Sequence, residues 1–348
     1  MKRLVALILA LCMVFALAAC GKTEAPAETP AEAPAEAPAE APAEPAKPAE
    51  TVHLTIGTAS VSGSNYPTGV TLAQVWNDNV AGVKAVAIAT NGSSHNIDLI
   101  RTGDADVAVC RAIEANRAIH GEETYAEEMP WIRLLSGGLF FDCTQVIARN
   151  DVGIESIYDF KGKKIAVGAM GSGGEIDARE TLKAFGLSYD DITPQFIDTA
   201  QAIEMLEDGL IDGCVSGLAV GSASIAELLM GGKCKILPFT EEALAKLQEV
   251  SPFMRMATIP ANTYPNQDYE VQTAGSPPDH IICREEMDEE LAYNLCKAMY
   301  ENVETLNGAC AVMEQFGVGL VLQPDELIGD LQYHPGSLRY FQEQGWIK

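Results

Sequence analysis

Lys164-Ile165-Ala166-Val167-Gly168-Ala169-Met170-Gly171-Ser172-Gly173-Gly174-Glu175 is the stretch on which the fold of this chain turns. Its branched apolar start reads as a buried strand, its glycines and serine as a turn, and the amphipathic residues 175–185 beyond it as a helix. The same unit recurs on both sides. Strands are expected at 54–57, 83–89 and 107–110, with helices at 70–80 and 96–102 between them. Further on come strands at 195–197 and 213–215, with helices at 200–207 and 224–230. Strands alternating with helices imply right-handed crossovers and mostly parallel sheets.

Between the two series, the apolar strand 145–149 followed by Asn150-Asp151 reads as a crossing from one lobe to another. A return crossing is expected between Leu237 and Ile259, because a tail with a long helix over 285–306 must rejoin the first lobe. The predicted class is α/β with two lobes, each a mostly parallel sheet flanked by helices and joined by crossing hinge strands. Lobe 1 is assigned to 51–147, lobe 2 to 148–240, and 241–348 to the return and C-terminal helices.

Ligands of open parallel sheets gather at the carboxyl ends of the strands. That rule selects the loops after Ile56, Ala89, Val167 and Val215. The first, Gly57-Thr58-Ala59-Ser60-Val61-Ser62-Gly63-Ser64-Asn65-Tyr66-Pro67-Thr68-Gly69, offers Ser60, Ser62, Gly63 and Asn65 as polar contacts, with Tyr66 as a cover. The second, Thr90 to Asn96, offers Ser93 and Asn96, although Ser93 also reads as a helix cap. In the third, Gly171, Ser172 and Gly173 open a helix, whose free amides and dipole suit a carboxylate or phosphate. Ser216 and Gly217 complete the set. Arg111, just after a strand, reads as a counter-ion for an acidic ligand or as a salt-bridge partner.

Enzyme motifs fail at particular positions. A phosphate-binding loop needs Lys where Gly174 stands, a dinucleotide fingerprint needs Gly at Ile176, and a hydrolase elbow needs Gly at Met170. Asp104, Asp106 and Asp212 precede strands, at the end remote from the cleft, and read as caps. No catalytic residue, metal or cofactor is expected. Histidines at 53, 95, 120, 280 and 334 are scattered, and no Cys-x-x-Cys occurs. Cys110, Cys143, Cys214, Cys234, Cys283, Cys296 and Cys310 fall in apolar patterns and read as buried thiols.

The N-terminus carries Lys2-Arg3, an apolar run over 4–16 and then Leu17-Ala18-Ala19-Cys20, the pattern of a lipoprotein signal. Residues 1–19 are expected to be removed and Cys20 lipidated, which anchors the chain on the extracytoplasmic face of a cell membrane. The rest of 20–50 repeats Ala-Pro-Ala-Glu, with prolines at 26, 30, 34, 38 and 42, and cannot make a core. Extended, this tether reaches about 90 Å. With 49 acidic against 23 basic residues, the formal net charge of −26 repels nucleic acid and anionic lipid. Membrane contact is expected through the lipid alone.

The ordered set of Gly57 to Gly69, Gly92-Ser93 with Asn96 and Gly103, Asp159-Phe160-Lys161-Gly162-Lys163-Lys164-Ile165-Ala166-Val167-Gly168 through Gly171-Ser172-Gly173, and His334-Pro335-Gly336-Ser337-Leu338-Arg339-Tyr340 resembles the TAXI family of TRAP-transporter solute-binding proteins. The resemblance spans nearly all of 51–348. It departs from the usual pattern at Asn65, where many members carry an aromatic, at Gly174, where Thr is common, and at Ala219, where Pro is common. It implies a two-lobed periplasmic-binding-protein fold that closes on a small ligand and delivers it to a TRAP permease driven by an ion gradient. Some members bind glutamate or related carboxylates, so a carboxylate-bearing solute is the expected ligand. Two alternatives stay open: the binding protein of an ABC importer, and a sensory or exported enzyme on the same lobes.

Overall fold

The computed structural model describes residues 51–348. The signal, Cys20 and the tether lie outside the described residues. Three buried clusters form: one surrounds the sheet of the first lobe, and the other two lie on opposite faces of the sheet of the second.

The first lobe opens with β1 (Val52–Gly57), α1 (Asn65–Asn79), β2 (Val83–Ile88), α2 (Ser93–Thr102), β3 (Val107–Arg111), α3 (Ala112–His120) and β4 (Ile132–Leu134). The chain then builds the second lobe: β5 (Asp142–Arg149), β6 (Lys164–Ala166), α4 (Gly173–Ala184), β7 (Thr193–Gln195), α5 (Thr199–Glu207), β8 (Gly213–Ala219) and α6 (Ala223–Met230). That lobe continues through β9 (Cys234–Leu237), α7 (Glu241–Val250), β10 (Arg255–Ile259) and β11 (Val271–Gly275). Finally β12 (Asp279–Arg284), α8 (Glu289–Glu301), α9 (Val303–Ala309) and α10 (Pro335–Glu343) return to the first lobe.

Sheet order is β2-β1-β3-β12-β4 in the first lobe and β10-β11-β5-β8-β6-β7 in the second, with β9 beside β5. Both sheets are mixed. The strand–helix repeats read from the sequence form the parallel parts, β2-β1-β3 and β7-β6-β8. Strands arriving from the other lobe or from hairpins pair antiparallel to them, so "mostly parallel" holds for only part of each sheet. In β5, Val146 and Ala148 face one core while Cys143 and Ile147 face the other, because alternate residues of a strand point to opposite sides. A strand covered on both faces is buried along its length, as β5 is from Asp142 to Ala148.

Helix starts are marked where the sequence supplies an oxygen. Ser172, Asp198, Thr240 and Asp288 each accept the N–H three residues on. The long helix expected over 285–306 is two helices. Asp288 caps its start, and the backbone at Asn302 (φ −120°) breaks it before α9.

The crossings also differ from expectation. The first runs through Leu139 to Asp142, ahead of the 147/148 boundary, and the return runs through Ser276 to Asp279, well beyond 240. Residues 241–275 stay with the second lobe because Ala243, Leu247, Met254, Ile259 and Val271 pack into its cores. The two crossings lie side by side: Leu139 N–H donates to Asp279 O (2.7 Å), Asp279 N–H to Phe140 O (3.0 Å), and Ser276 N–H to Asp142 O (3.0 Å). This antiparallel pair is the hinge.

Candidate functional site

A cleft of about 520 Å³ opens where the strand ends of the two sheets meet. Loops after β1, β2, β6 and β7 line it, as the strand-end rule requires; Val215, Ser216, Gly217 and Leu218 line it from within β8, which runs to Ala219 and so replaces the loop expected after Val215. Of the residues singled out from the sequence, Ser60, Gly63, Asn65, Ser93, Arg111, Ser172, Gly173, Ser216 and Gly217 are in its wall.

Ser62, Tyr66, Asn96 and Gly171 are not. Ser62 O accepts from Ser224 Oγ (3.3 Å) across the lobes, while its own hydroxyl meets Ser60 Oγ at 3.2 Å. Tyr66 is half-buried on the first turn of α1. Asn96 is wholly buried beneath the cleft floor, where its Nδ2 donates to Thr58 O (2.6 Å) and Val109 O (2.8 Å) and its Oδ1 accepts from Thr90 Oγ1 (2.7 Å). It ties the loops after β1 and β2 to the end of β3, which positions them rather than touching solute. Gly171, at φ +73°, makes the turn closed by Ser172 N–H to Ala169 O (2.9 Å).

Sequence reasoning missed Phe196, Asp198, Thr199 and Gln201, which form the wall beyond β7. The strand was expected two residues late, which hid its carboxyl end inside the strand itself. Asp198 is occupied in part by capping α5 through Gln201 N–H (2.9 Å). Asp142 was also missed: it opens β5 on the hinge and lines the cleft.

Ser172 holds the start of α4, its Oγ accepting Glu175 N–H at 3.1 Å. Gly173 and Gly174, the first residues of the helix, lack intrahelical acceptors for their N–H groups and line the cleft. Opposite them Gly92, at φ +104°, brings the loop after β2 so near that a Cβ there would lie 3.6 Å from Ser172 Cα.

Arg111 is committed within the protein. Its Nη1 reaches Gly173 O (3.0 Å) and Asp177 Oδ1 (2.5 Å), its Nη2 reaches Asp142 Oδ2 (3.3 Å), and its peptide N–H donates to Ser93 Oγ (3.1 Å). It belongs to the first lobe, whereas Gly173, Asp177 and Asp142 belong to the second, so the guanidinium joins the lobes. Burial works against its charge, yet Asp177 and Asp142 more than offset that and raise its pKa. Asp279, beside Arg111 in the sheet register, completes a group of three carboxylates around one cation. Burial first, against the pull of Arg111, pushes the Asp279 carboxyl up to about 6, and burial together with Asp279 pushes Asp142 well up.

A second buried cluster continues along the seam. Arg117 on α3 pairs with Glu114 (2.9 Å) and with Glu180 of α4, and Arg179 of α4 reaches Glu123 (3.0 Å). Burial lifts Glu114 to about 7 despite Arg117. Asp106 Oδ2 and Asp212 Oδ2 accept Thr55 and Lys164 N–H at the far ends of the sheets, as capping requires. All seven cysteines among the described residues are free and buried. His334 caps α10 by accepting Gly336 N–H (3.3 Å), so the tail motif is structural.

A profile of the NMT1-like family matches residues 56–345. Among solved structures, one from Bordetella bronchiseptica RB50 is similar at TM-score 0.54 and 15% identity, covering 84% of this chain and 98% of that one. An ancestral arginine-binding protein bound to arginine gives 0.47 at 16% identity, covering 76% and 97%. The periplasmic aliphatic sulphonate binding protein SsuA from Escherichia coli gives 0.44 at 14%, covering 83% and 78%. At these identities the likeness is one of fold. Two α/β lobes on a double hinge with a cleft between them form the two-lobed periplasmic-binding-protein architecture that the sequence led us to expect.

Proposed function

The chain belongs to the NMT1-like family, and from that premise we propose that it is an extracytoplasmic receptor that captures a small solute between its lobes and hands it to a membrane permease. The observation that carries this reading is the cleft, walled by strand-end loops of two lobes that two short hinge segments connect. Lobes on such a hinge exchange open and closed arrangements, and a solute that touches both favours the closed one. The wall supplies hydroxyls and peptide groups. His95 in the wall is engaged locally, its Nδ1 accepting Asn91 N–H (3.2 Å).

A carboxylate on the solute is supported by the start of α4, where the Gly173 and Gly174 N–H groups and the helix dipole favour negative charge. Delivery to an ion-gradient-driven TRAP permease is supported by the ordered motifs shared with TAXI proteins. Uptake into vesicles that stops when the gradient is collapsed, and continues without ATP, is the expected behaviour; ATP-dependent uptake points to an ABC importer. Cys20→Ser should release the chain from the membrane fraction if the lipid is its anchor.

The test of capture is a thermal-shift screen of the purified full chain against amino acids, carboxylates and sulfonates, followed by calorimetry and mass spectrometry of the bound compound. Recovery of one intact solute at micromolar affinity supports the receptor, and saturation at 100 times Kd should add about 2.7 kcal/mol of stability. A compound returned as product shows an enzyme on these lobes.

A further inference from the structure

Among the described residues Arg111 is the one Arg or Lys in the cleft wall, and its side-chain contacts leave it little to offer a ligand. Around it Asp142 is 5% exposed, Asp177 6% and Asp279 0%. Three buried carboxylates against one guanidinium leave negative charge in excess. The hydrogen bonds are unevenly shared: Asp142 Oδ1 receives no donor, and the Asp279 oxygens have none in bonding geometry, with the Asn65 amide near enough only to pull the Asp279 pKa down against burial. Orphaned carboxylate oxygens in a protein interior are costly, and that cost is removed by a proton or by a donor brought from outside. Asp142 is part of the cleft wall and of the hinge, with its Oδ1 buried at the wall, so a donor from the cleft reaches that oxygen as the hinge moves. No group of three His, Cys, Asp or Glu among the described residues is arranged to hold a metal ion, so the outside donor argued for is an organic cation, which competes with the proton that burial favours on Asp142.

We infer that the hinge end of the cleft is a subsite for an ammonium or guanidinium group, accepted by the free Oδ1 of Asp142 with Asp279 behind it. The solute therefore carries no net negative charge, and dicarboxylates are rejected. This rests on the receptor reading and deepens it. A single solute can satisfy both ends by placing a carboxylate at Gly173 and Gly174 and an amine at Asp142. The buried excess of acid then does the selecting, since a second carboxylate at the hinge would meet Asp142 and Asp279 with Arg111 already taken.

The experiment is calorimetry of the full chain with two matched series: putrescine, 4-aminobutyrate, butyrate and succinate, then cadaverine, 5-aminovalerate, valerate and glutarate. The expected result is that amine-bearing members bind at least ten-fold tighter than their amine-free partners. Asp142→Asn and Asp279→Asn, each checked by circular dichroism, should reduce amine binding at least ten-fold and leave butyrate and valerate unaffected or improved. If a variant does not fold, the comparison within the natural chain decides. Succinate or glutarate binding as tightly as the amine analogue overturns the subsite, as does unchanged amine affinity in a folded Asp142→Asn. Silence from all eight also overturns it. Capture of any solute from cell extract then judges the receptor reading separately, by mass spectrometry of the retained compound.

Discussion

Arg111 shows how a residue's neighbours decide its work. Space for its guanidinium exists because two positions beside it are glycine. A Cβ at Gly173 would come within 2.7 Å of Arg111 Nε, and one at Gly217 would collide with both Arg111 Nη2 and Asp177 Oδ2. Overfilling a packed site costs about 1–3 kcal/mol. Gly217→Ala should therefore weaken solute binding at least ten-fold while far-UV circular dichroism stays unchanged; unaltered affinity in calorimetry would show that the ion pair is not needed for closure. His280 offers a second test at this scale. Burial holds its folded pKa down at about 3 against an ordinary 6.5. Its neutral form thus supports the fold fully above pH 6.5, and that support drains away as pH falls towards 3. Asp279 next to it works the other way, because a raised carboxyl pKa favours the fold more as pH falls through 6. The difference between the natural chain and His280→Gln isolates the first effect. Urea midpoints of the two should diverge with falling pH below 6.5, and parallel curves would refute the assignment.

Among elements, α4 contributes both to the cleft wall and to the ion pairs across the seam. Its first residues give the cleft two free N–H groups, Ser172 fixes its start, and Asp177 and Glu180, one turn apart, face Arg111 and Arg117 of the other lobe. Loss of an N-cap oxygen costs about 1 kcal/mol. Ser172→Ala should lower the urea-derived stability by about that amount, and a change below a few tenths would mean the cap contributes little. At this scale the sequence was a good guide. Strand β3 and helix α6 fall within a residue of their expected bounds, since branched apolar runs and helical periodicity are local signals. Two elements misled for local reasons as well. Pro194 and Gln195 close β7 earlier than the apolar Phe196-Ile197 suggested, and a continuous helical pattern concealed the break at Asn302. Phe196 is partly exposed in the cleft wall, where an apolar side chain can be mistaken for a strand interior.

For the whole molecule, the two lobes are joined across the seam by arginines of the first lobe paired with carboxylates of the second. Breaking a buried pair by removing one partner costs about 3–5 kcal/mol, because the other charge is left stranded. Arg117→Leu strands Glu114 and Glu180 and should shift the ligand-free protein towards open lobes. Small-angle scattering should report a larger radius of gyration, and solute should restore the compact value; an unchanged radius would show that the seam does not hold the lobes together. The sequence by itself determined the α/β repeats, the loops that reach the cleft and the absence of familiar catalytic motifs, because each is written in residues close together in the chain. Only the tertiary structure decided the hinge, the membership of residues 241–275 in the second lobe and the use of Arg111. Its partners Asp142 and Gly173 lie 31 and 62 residues away. Long-range ion pairing of this kind depends on which sheet each strand joins, and backbone pairing across lobes leaves no periodic trace in the sequence.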